Sequence, residues 1–546
     1  MTMQQTPLLM HRLMDRGADL QPEVEVLTAT ETGVRSQTML ETRNRAHQLA
    51  HALNDAGVEL GDRVATLMWN GARHLEAYHG VACMGAVIHT LNLRLPPPDL
   101  EYIINHAADK VIIVDADVLP LLEKLAGKMP TVQTIVVAAE PGFENWSTSL
   151  PNVIDYEDFI ADKPVKYTWP EIDENSPMGL CYTSGTTGRP KGVMYTHRAN
   201  YLHTLSIGLT DVMGLSATDT LLGIVPLFHA NAWGLPWIAT TLGMRQVYPH
   251  RFMVPEHLAR LIQDCDVTIS AGVPTIWQGI KGIMEAEPGK YQFKSLSRLT
   301  CGGSAPPPSL IEWYWDELGI EMVQGWGMTE TSPLATISRR TGKRKHLEMS
   351  DAERAVNQAK AGLPIPGLEI EIFDDSWQPL PHDGKAFGEL LIKGPWICSE
   401  YFNNPQSDKF HDGWLITGDV AKIDPEGYII ITDRSKDLIK SGGEWISSVD
   451  LENHIAGMDG VAQACVVAQP HPKWDERPVA LVITKPGASL SRESVIAHCE
   501  SRLAKWQLPD DVLFVESIPL TATGKMDKKV VRAQLDSDGY QLPDLA

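Results

Sequence analysis

Residues 182–192 read Tyr-Thr-Ser-Gly-Thr-Thr-Gly-Arg-Pro-Lys-Gly, directly after an apolar run, Pro177–Tyr182, that predicts a β-strand. Four hydroxyl side chains and two glycines fall within residues 183–188. Small residues let a phosphate chain approach the backbone, and hydroxyl and amide groups can bind its oxygens. Only two residues separate Gly185 and Gly188, so this is not a Walker A loop. The stretch predicts a phosphate-binding loop with Lys191 as its positive charge, and an ordinary Ser/Thr/Gly turn is the alternative.

The length and composition of the chain predict a multidomain globular protein. Its 546 residues are too many for one core and indicate roughly three to four domains or subdomains. The hydrophobic fraction of 43% and the charged fraction of 21% are ordinary for a globular protein. The net charge of −22 argues against nucleic acid as a main partner. An anionic ligand must therefore be bound by local positive groups.

Cysteine usage and the distribution of apolar residues bear on the compartment. The seven cysteines are scattered singly, without a C-x-x-C pair, which predicts neither a zinc site nor a disulfide framework and favours a reducing cytoplasm. No apolar run approaches the roughly 20 residues of a membrane span, and the N-terminus lacks the pattern of a signal peptide. We therefore expect no integral membrane association. Leu8–Leu20 predicts a short amphipathic helix that packs on the body or on a partner subunit.

Most of the chain alternates helical and strand patterns, which predicts α/β layers. Helical spacing occurs at Asn44–Ala56 and Ala72–Val87. Short β-branched or apolar runs predict buried strands at Arg63–Met68, Lys110–Asp115, Thr134–Ala139, Leu221–Pro226 and Val267–Ala271.

The pattern changes near residue 362. Gly362–Gly367 breaks helices, and Leu368–Phe373 and Gly388–Lys393 alternate as in the strands of a small β subdomain. Beyond Asp433 a compact unit of roughly 110 residues begins, where Ser447 can cap a helix that runs through Ile455. Charged residues followed by glycines at 433–443 predict a linker or hinge. We therefore divide the chain into residues 1–433 and 434–546.

Five further segments accompany the hydroxyl-rich loop, in the order Pro226–Trp233, Cys301–Pro306, Gln324–Glu330, Trp414–Asp419 and Thr521–Lys525. Together these six motifs resemble the adenylate-forming superfamily of acyl-CoA synthetases, adenylation domains and luciferases. Within it, the chain is most similar to bacterial medium- and long-chain fatty acid–CoA ligases, particularly the 3-methylmercaptopropionate–CoA ligase group. The resemblance implies a large N-terminal domain of stacked α/β subdomains with a small β subdomain. A small mobile α+β lid follows it, with the hinge near residues 434–437.

The chemistry implied by the resemblance explains the residue types. A carboxylate attacks the α-phosphate of ATP and gives an acyl-AMP, and the thiol of coenzyme A then displaces AMP to form a thioester. Because the first step brings two anions together, it needs positive charge and positioning more than acid–base catalysis. The resemblance therefore implies ATP and coenzyme A as substrates and Mg²⁺ as cofactor.

The resemblance also assigns the nucleotide and metal site. Glu330 is the expected Mg²⁺ ligand with Thr183 nearby, although a glutamate in a Gly-rich loop is usually only solvated. Asp419 fits an acceptor for ribose hydroxyls, and Arg434 a second ribose or phosphate contact. The implied ATP-binding residues are Thr183, Ser184, Gly185, Thr186, Thr187, Gly188, Lys191, Gly303, Ser304, Ala305, Gln324, Gly325, Trp326, Gly327, Met328, Thr329, Asp419, Arg434 and Lys525.

Lys525, in the motif Pro519–Lys525, is the expected catalytic residue, because a flexible ammonium can contact both the carboxylate and the α-phosphate. In the family the lid rotates between the two half-reactions and withdraws this lysine. The implied hinge and coenzyme A path comprise Lys436, Lys440, Gly442, Gly443, Glu444 and Trp445. A solvated lysine is the alternative for Lys436 and Lys440.

The resemblance implies an acyl site that contains His229, Trp233, Gly302 and Trp326. His229 is also an expected catalytic residue, beside the carboxylate of the acid. Trp326 departs from the family pattern, since many relatives carry Tyr there. Two indoles favour a short or medium apolar acid such as 3-methylmercaptopropionate over an unrestricted long chain. Residues 229–235 contain no acid to bind an α-ammonium, which weighs against amino-acid substrates.

Other functions remain open at this point. A long-chain fatty acid–CoA ligase would use the same motifs, and an adenylation enzyme would transfer the acyl group to a carrier protein. A non-catalytic protein of the same fold would be expected to lack Lys525 or Glu330, and both are present. Nothing favours luciferase-type oxidation. The expected partners are a small carboxylic acid, ATP and coenzyme A, and a homodimer is expected because similar enzymes commonly form one.

Overall fold

The computed structural model describes residues 2–140, 143, 145–183, 189–404, 407–442, 444–521, 526–540 and 542, with the backbone alone for Glu444. Within these ranges the helices are α1 His11–Leu20, α2 Met39–Asp55, α3 Ala72–Cys83, α4 Pro97–Ala107, α5 Leu119–Glu123, α6 Tyr156–Ile160, α7 His197–Ile207, α8 Leu235–Leu242, α9 Pro255–Asp264, α10 Pro274–Ala286, α11 Pro308–Leu318, α12 Asp351–Gln358, α13 Ser448–Ala456, α14 Arg492–Glu500 and α15 Lys528–Ser537.

The strands in the same ranges are β1 Glu25–Ala29, β2 Val34–Thr38, β3 Arg63–Leu67, β4 Val87–Thr90, β5 Val111–Asp115, β6 Thr134–Ala138, β7 Val153–Asp155, β8 Pro177–Tyr182, β9 Gly192–Thr196, β10 Thr220–Leu222, β11 Arg245–Tyr248, β12 Ile269–Gly272, β13 Arg298–Gly302, β14 Glu321–Gly327, β15 Leu334–Ser338, β16 Leu363–Pro364, β17 Glu369–Phe373, β18 Phe387–Lys393, β19 Phe410–His411, β20 Trp414–Ile423, β21 Ile429–Arg434, β22 Ile439–Ser441, β23 Glu444–Ile446, β24 Val461–His471, β25 Asp475–Thr484 and β26 Asp511–Phe514.

Two large sheets form the N-terminal part. The first has seven strands in the order β7-β6-β5-β3-β4-β8-β9, and the second has nine in the order β16-β15-β14-β13-β12-β10-β11-β1-β2. Parallel pairing dominates both, and antiparallel pairs occur only towards their edges, as between β8 and β9 and between β14 and β15. One apolar core joins residues of both sheets with α2, α3 and α8. This architecture confirms the prediction of stacked α/β subdomains.

Two smaller sheets follow. In the first, β17-β18-β20-β19 are joined by β21 on β20, and every pair is antiparallel, as the small β subdomain predicts. In the second, β23-β22-β25-β24 are joined by β26, and α13 and α15 pack on β24. This C-terminal unit has an apolar core of its own and is α+β, as expected.

Three predicted boundaries were wrong. The helix predicted from residue 44 begins at Met39, because Thr38 and Glu41 form a reciprocal capping box. The helix predicted to reach Val87 ends at Cys83, since Gly85 turns the chain with a φ of +90° and Val87 belongs to β4. The strand predicted over 221–226 ends at Leu222, because the Asn70 amide binds the carbonyls of Gly223 and Val225 at 2.8 and 2.7 Å.

Three further predictions concern membrane-spanning helices, the cysteines and the N-terminal helix. In the part of the chain that the structure describes, no helix combines the length and the apolar character that crossing a bilayer requires. The seven cysteines all lie in described ranges and are free thiols. The predicted amphipathic helix is α1, which packs on α8, α2 and α3 and so lies against the body.

Candidate active site

Three of the predicted motifs lie where strands of the two large sheets end. Thr183 follows β8, residues 303–305 follow β13, and Gly325–Gly327 close β14. In open α/β sheets, ligands bind outside the carboxyl ends of the strands. The position of the motifs in the fold is therefore that of a ligand site.

Thr183 and Lys191 close the base of the hydroxyl-rich loop. The Thr183 N–H donates to the Lys191 carbonyl at 2.9 Å, and the Lys191 N–H donates to Thr183 Oγ1 at 3.2 Å. These bonds extend the β8–β9 pairing by one step. Their consequence is that Lys191 is fixed beside the loop. The remaining predicted loop residues, Ser184, Gly185, Thr186, Thr187 and Gly188, lie outside the described residues.

Glu330 is a buried carboxylate near Lys191. Only 5% of the residue is exposed, and the Tyr401 hydroxyl donates to Oε1 at 2.6 Å. The Lys191 ammonium lies 4.7 Å from the centroid of the Tyr401 ring. Burial raises the pKa of Glu330, while the Tyr401 hydrogen bond and the charges of Arg434 and Lys191 oppose this. The arrangement places an anionic oxygen ligand and a cation around one tyrosine.

Asp419 is held by two other predicted residues. The Trp326 indole N–H donates to Oδ2 at 2.9 Å, and Arg434 Nε lies 2.7 Å from Oδ1. Asp419 and Arg434 are also directly opposite each other in the β20–β21 pair. The Asp419 carboxylate raises the pKa of Arg434. The structure thus brings Trp326, Asp419 and Arg434 together. Asp419 and Arg434 form the last pair of β20 and β21 before the chain enters the C-terminal unit.

Trp233 lies on the glycine at the end of β13. A Cβ on Gly302 would lie 3.0 Å from the Trp233 ring and 3.0 Å from the Gly325 carbonyl, so a side chain at this position would force one of these neighbours to move. Trp233 belongs to a left-handed turn in which Ala230, Asn231, Ala232 and Trp233 have φ values of 43°, 52°, 49° and 60°. His229 precedes the turn, is half-buried, and accepts from the Ala232 N–H at 3.0 Å through its carbonyl. The predicted acyl residues Trp233 and Gly302 are therefore in contact.

The other residues predicted to contact the nucleotide fall into two groups, those near the ends of β13 and β14 and Gln324, whose side chain is bound elsewhere. Gly303 and Ser304 are exposed and Ala305 is half-buried, so all three are accessible at the end of β13. Gly327 ends β14 and Met328 and Thr329 follow it, and the Thr329 carbonyl accepts from the Tyr195 hydroxyl at 2.8 Å. Gln324 differs, because its amide donates to the carbonyls of Ala359 and Lys360, which ties its side chain to the backbone after α12.

The residues predicted for the lid lie in the C-terminal unit. Lys436 is exposed in the turn after Arg434, and Lys440 is exposed on β22 with its ammonium 4.7 Å from the Trp445 ring centroid. Gly442 donates to the Trp474 carbonyl at 2.8 Å. Lys525 and Gly443 lie outside the described residues, as does the side chain of Glu444. A bridge between Leu520 and Met526 flanks the segment that carries Lys525.

Comparison with known proteins identifies the family. Residues 14–402 match the AMP-binding enzyme family, and residues 450–525 match the AMP-binding enzyme C-terminal domain. The chain belongs to the AMP-binding enzyme family. This confirms the resemblance to adenylate-forming enzymes, and the two matched segments lie on either side of the predicted hinge.

Two relatives of this AMP-binding enzyme have similar sequences over nearly their whole length. The 3-methylmercaptopropionyl-CoA ligase of Ruegeria pomeroyi is 42% identical over 529 residues, covering 97% of each chain. The long-chain-fatty-acid–CoA ligase of Thermus thermophilus is 44% identical over 541 residues, covering 98% of this chain and 96% of that protein. An anthranilate–CoA ligase solved with anthranoyl-AMP has a TM-score of 0.86 at 24% identity, covering 98% of this chain and 99% of that one, and so shares the fold.

Sequence reasoning missed two residues that support the site of this AMP-binding enzyme. Tyr401 contacts both Lys191 and Glu330, and Asn70 accepts from the Leu227 N–H at 2.8 Å and so fixes the loop that leads to His229. Neither residue lies in one of the six motifs. A tyrosine or asparagine in a polar loop gives no local signal of such contacts, so only the fold could reveal them.

Proposed function

We propose that this AMP-binding enzyme is an ATP-dependent acid–CoA ligase for a short- or medium-chain acid such as 3-methylmercaptopropionate. The observation that carries the proposal is the placement of Lys191 and Glu330 around Tyr401, beside the hydroxyl-rich loop. A cation and an anionic oxygen ligand at one loop suit a magnesium nucleotide. The names of the two relatives support thioester formation with coenzyme A.

The reaction would proceed in two displacements. In the first, a carboxylate oxygen of the acid attacks the α-phosphorus of ATP, the bond to the β-phosphate oxygen breaks, and pyrophosphate leaves. In the second, the sulfur of coenzyme A attacks the acyl carbon, the bond to the phosphate oxygen breaks, and AMP leaves while the thiol proton is lost to solvent. Thr183 and Lys191 would hold the β- and γ-phosphates during the first step. Asp419 and Arg434 would hold the ribose.

Glu330 and Thr183 would hold Mg²⁺. The donors fit, because magnesium prefers one or two protein oxygens together with phosphate oxygens and water. Glu330 supplies a carboxylate that is 5% exposed, and Thr183 supplies a hydroxyl at the base of the loop. When bound, Mg²⁺ would neutralise charge on the phosphate oxygens. Glu330 would thus present its carboxylate in a site from which bulk water is largely excluded.

The C-terminal unit would supply the remaining groups. We assign Lys525 to the reacting carboxylate and α-phosphate, Lys436 to the hinge, and the exposed face around Lys440, Gly442 and Trp445 to the path of coenzyme A. Gly443 and Glu444 would belong to the same path. An exposed glycine such as Gly442 beside a charged residue suits a surface that receives a long, thin phosphopantetheine arm.

Trp233 would set the length of the acid. Its indole covers Gly302, and this ring would close the space beside the acyl carbonyl. Trp326 would narrow the other side, and His229 would stand by the carboxylate. This arrangement favours a short apolar chain over a long one.

The test is acid-dependent exchange of pyrophosphate into ATP without coenzyme A, followed by thioester formation when coenzyme A is added. We expect both activities in the intact enzyme. In Lys525→Ala we expect exchange to fall by at least about a hundredfold, the range of a lost transition-state contact, while thioester formation from preformed acyl-AMP persists. Equal loss of both half-reactions would refute the role of Lys525. Absence of acid-dependent exchange in the unmodified enzyme would refute the proposed function.

Two further assignments are part of the proposal. The free thiols support a reducing cytoplasm. The homodimer is supported only by the resemblance, and light scattering of the purified protein would test it.

A further inference from the structure

The segment Trp396–Phe402 contacts two parts of the site. One is the loop of residues 328–332, called here the Glu330 loop, and the other is the end of the hydroxyl-rich loop. The segment holds the Glu330 loop at three points, since Ser332 Oγ donates to the Trp396 carbonyl at 2.6 Å, the Cys398 N–H donates to the Glu330 carbonyl at 2.9 Å, and the Tyr401 hydroxyl donates to Glu330 Oε1. The last of these bonds is the one made to the carboxylate. The segment thus fixes both the backbone and the charge of Glu330.

The same segment also contacts the end of the hydroxyl-rich loop. The Phe402 N–H donates to the Gly192 carbonyl at 2.8 Å, at the first residue of β9. The preceding residue, Lys191, places its ammonium 4.7 Å from the Tyr401 ring centroid. A cation over an aromatic face is attracted by the electron density of the ring. Tyr401 therefore binds Lys191 through its ring and Glu330 through its hydroxyl.

This position separates two opposite charges. Lys191 and Glu330, both in the described part of the chain, are close enough for the lysine charge to act on the glutamate, but their side chains form no salt bridge within 4.0 Å. A direct ion pair would neutralise the ammonium that the phosphates need and the carboxylate that a metal needs. The Tyr401 ring stands beside the first group, and its hydroxyl satisfies the second.

We propose that Tyr401 is a positioning residue that keeps Lys191 and Glu330 apart, each oriented for a different part of the magnesium nucleotide. The inference rests on the proposed role of Glu330 as a magnesium ligand. Tyr401 itself is 4% exposed, so we assign it an indirect role, through Lys191 and Glu330. Its hydroxyl determines where the carboxylate points, and its ring determines where the ammonium rests.

A purely structural role for Tyr401 makes a different prediction. Tyr401 packs in a small apolar cluster with Cys181, Val193 and Tyr195, and this packing would survive loss of the hydroxyl. Tyr195 offers a matched control, because it is also buried and its hydroxyl donates to the neighbouring Thr329 carbonyl. Tyr195→Phe removes a hydroxyl that contacts the backbone next to Glu330, and it leaves the Tyr401 bond to the carboxylate in place.

The experiment measures ATP binding to the full chain by calorimetry, without acid or coenzyme A, in Mg²⁺ and in EDTA. The ratio of the two affinities reports the coupling between magnesium and ATP. In Tyr401→Phe we expect this ratio to fall about tenfold, the effect of losing one hydrogen bond to a charged group, with binding in EDTA changed less than about threefold. Tyr195→Phe should keep the ratio of the unmodified enzyme.

Glu330→Gln distinguishes the magnesium site at Glu330 from the positioning role of Tyr401. Loss of coupling in Glu330→Gln together with an unchanged ratio in Tyr401→Phe would overturn the role of Tyr401 and leave the metal site intact. An unchanged ratio in both variants would overturn the metal site and the inference with it. An equal fall in Tyr401→Phe and Tyr195→Phe would also overturn the inference, because a general disturbance of the loop would then explain both.

Discussion

The turn that carries Trp233 is the most unusual local feature of the site. Four consecutive residues other than glycine have positive φ, which costs roughly 1–2 kcal/mol for each residue in the left-handed region. The turn is held by its surroundings, since Asn231 Oδ1 accepts from the Tyr78 hydroxyl at 3.3 Å and from the Cys181 thiol at 3.4 Å. The fold therefore stabilises a costly conformation that places an indole on Gly302.

Trp233→Ala should shift the preference of the enzyme towards longer acids. Removing the indole opens space next to Gly302, and Gly302 has no side chain to fill it. We expect kcat/KM to rise several-fold for an acid longer than the best natural one and to fall for the shortest acids, since a buried methylene contributes about 0.8 kcal/mol. The measurement is kcat/KM across straight-chain acids, with Trp233→Phe as an intermediate. A profile of unaltered shape would show that Trp233 does not set the length of the acid.

At the scale of elements, α1 is anchored by one carboxylate. Asp15 Oδ1 accepts from His47 Nε2 at 3.2 Å and lies 3.0 Å from His79 Nε2, and Oδ2 accepts from the Trp169 indole at 2.8 Å. His47 Nδ1 accepts from the Tyr167 N–H at 2.7 Å, so the proton of the neutral ring is on Nε2. An Nε2 that carries a proton cannot bind a metal. The cluster is therefore a hydrogen-bonded anchor that joins α1 to α2 and α3.

Asp15→Asn should destabilise the protein by about 2 kcal/mol at neutral pH, the worth of a hydrogen bond to a charged group. Burial would raise the pKa of Asp15, but the His47 hydrogen bond and the neighbouring His79 lower it overall. A carboxyl with a lowered folded pKa contributes its full stability above its unfolded pKa of about 3.9 and loses it as the pH falls further. The difference between the two proteins in urea unfolding should therefore shrink below about pH 4.

Asp19→Asn is the control for this measurement. Asp19 lies on the same helix and pairs with Arg43 at 2.6 Å, but its side chain is 62% exposed, so its loss should change stability by less than about 1 kcal/mol. If both variants lose the same stability, or if the difference for Asp15→Asn is constant down to pH 3, Asp15 is not a charged anchor.

The sequence predicted elements and motifs better than it predicted contacts between them. Apolar runs such as Lys110–Asp115 were sufficient to predict strands, because a strand that is buried on both faces is a continuous apolar run in the sequence. β5 matches this run from Val111. β10 was overestimated because Asn70, from a distant part of the chain, takes the carbonyls that follow it. Tyr401 could not be predicted for the same reason, since its partners are set by the path of residues 396–402 and not by its neighbours in sequence.

At the scale of the whole molecule, one junction joins the N-terminal part to the C-terminal unit. Asp433 Oδ2, near the end of β21, accepts from the Ser448 N–H at 2.6 Å and from its hydroxyl at 2.5 Å, at the start of α13. Lys528 of α15 donates to the same hydroxyl and pairs with Glu452 at 2.8 Å. The junction spans the predicted hinge at residues 434–437. It is thus placed to favour one orientation of the lid.

Asp433→Asn should change the balance between the two half-reactions. Replacing the carboxylate weakens two hydrogen bonds across the hinge, and we expect the ratio of the adenylation rate to the thioester-forming rate to change about tenfold, equivalent to 1.4 kcal/mol. The measurement is both rates in single turnover. Asp510→Asn is the control, because Asp510 pairs with Arg477 at 2.6 Å wholly within the C-terminal unit. Equal changes of both rates in Asp433→Asn would exclude a role in lid orientation.

The most decisive single experiment is to measure AMP release that depends on both ATP and coenzyme A, across acids from acetate to palmitate with 3-methylmercaptopropionate included, together with the thioester formed. We predict a maximum at short or medium acids and one thioester for each AMP. A maximum at long chains would contradict an acyl site closed by Trp233. AMP release without thioester would contradict the ligase and favour transfer of the acyl group to a carrier protein.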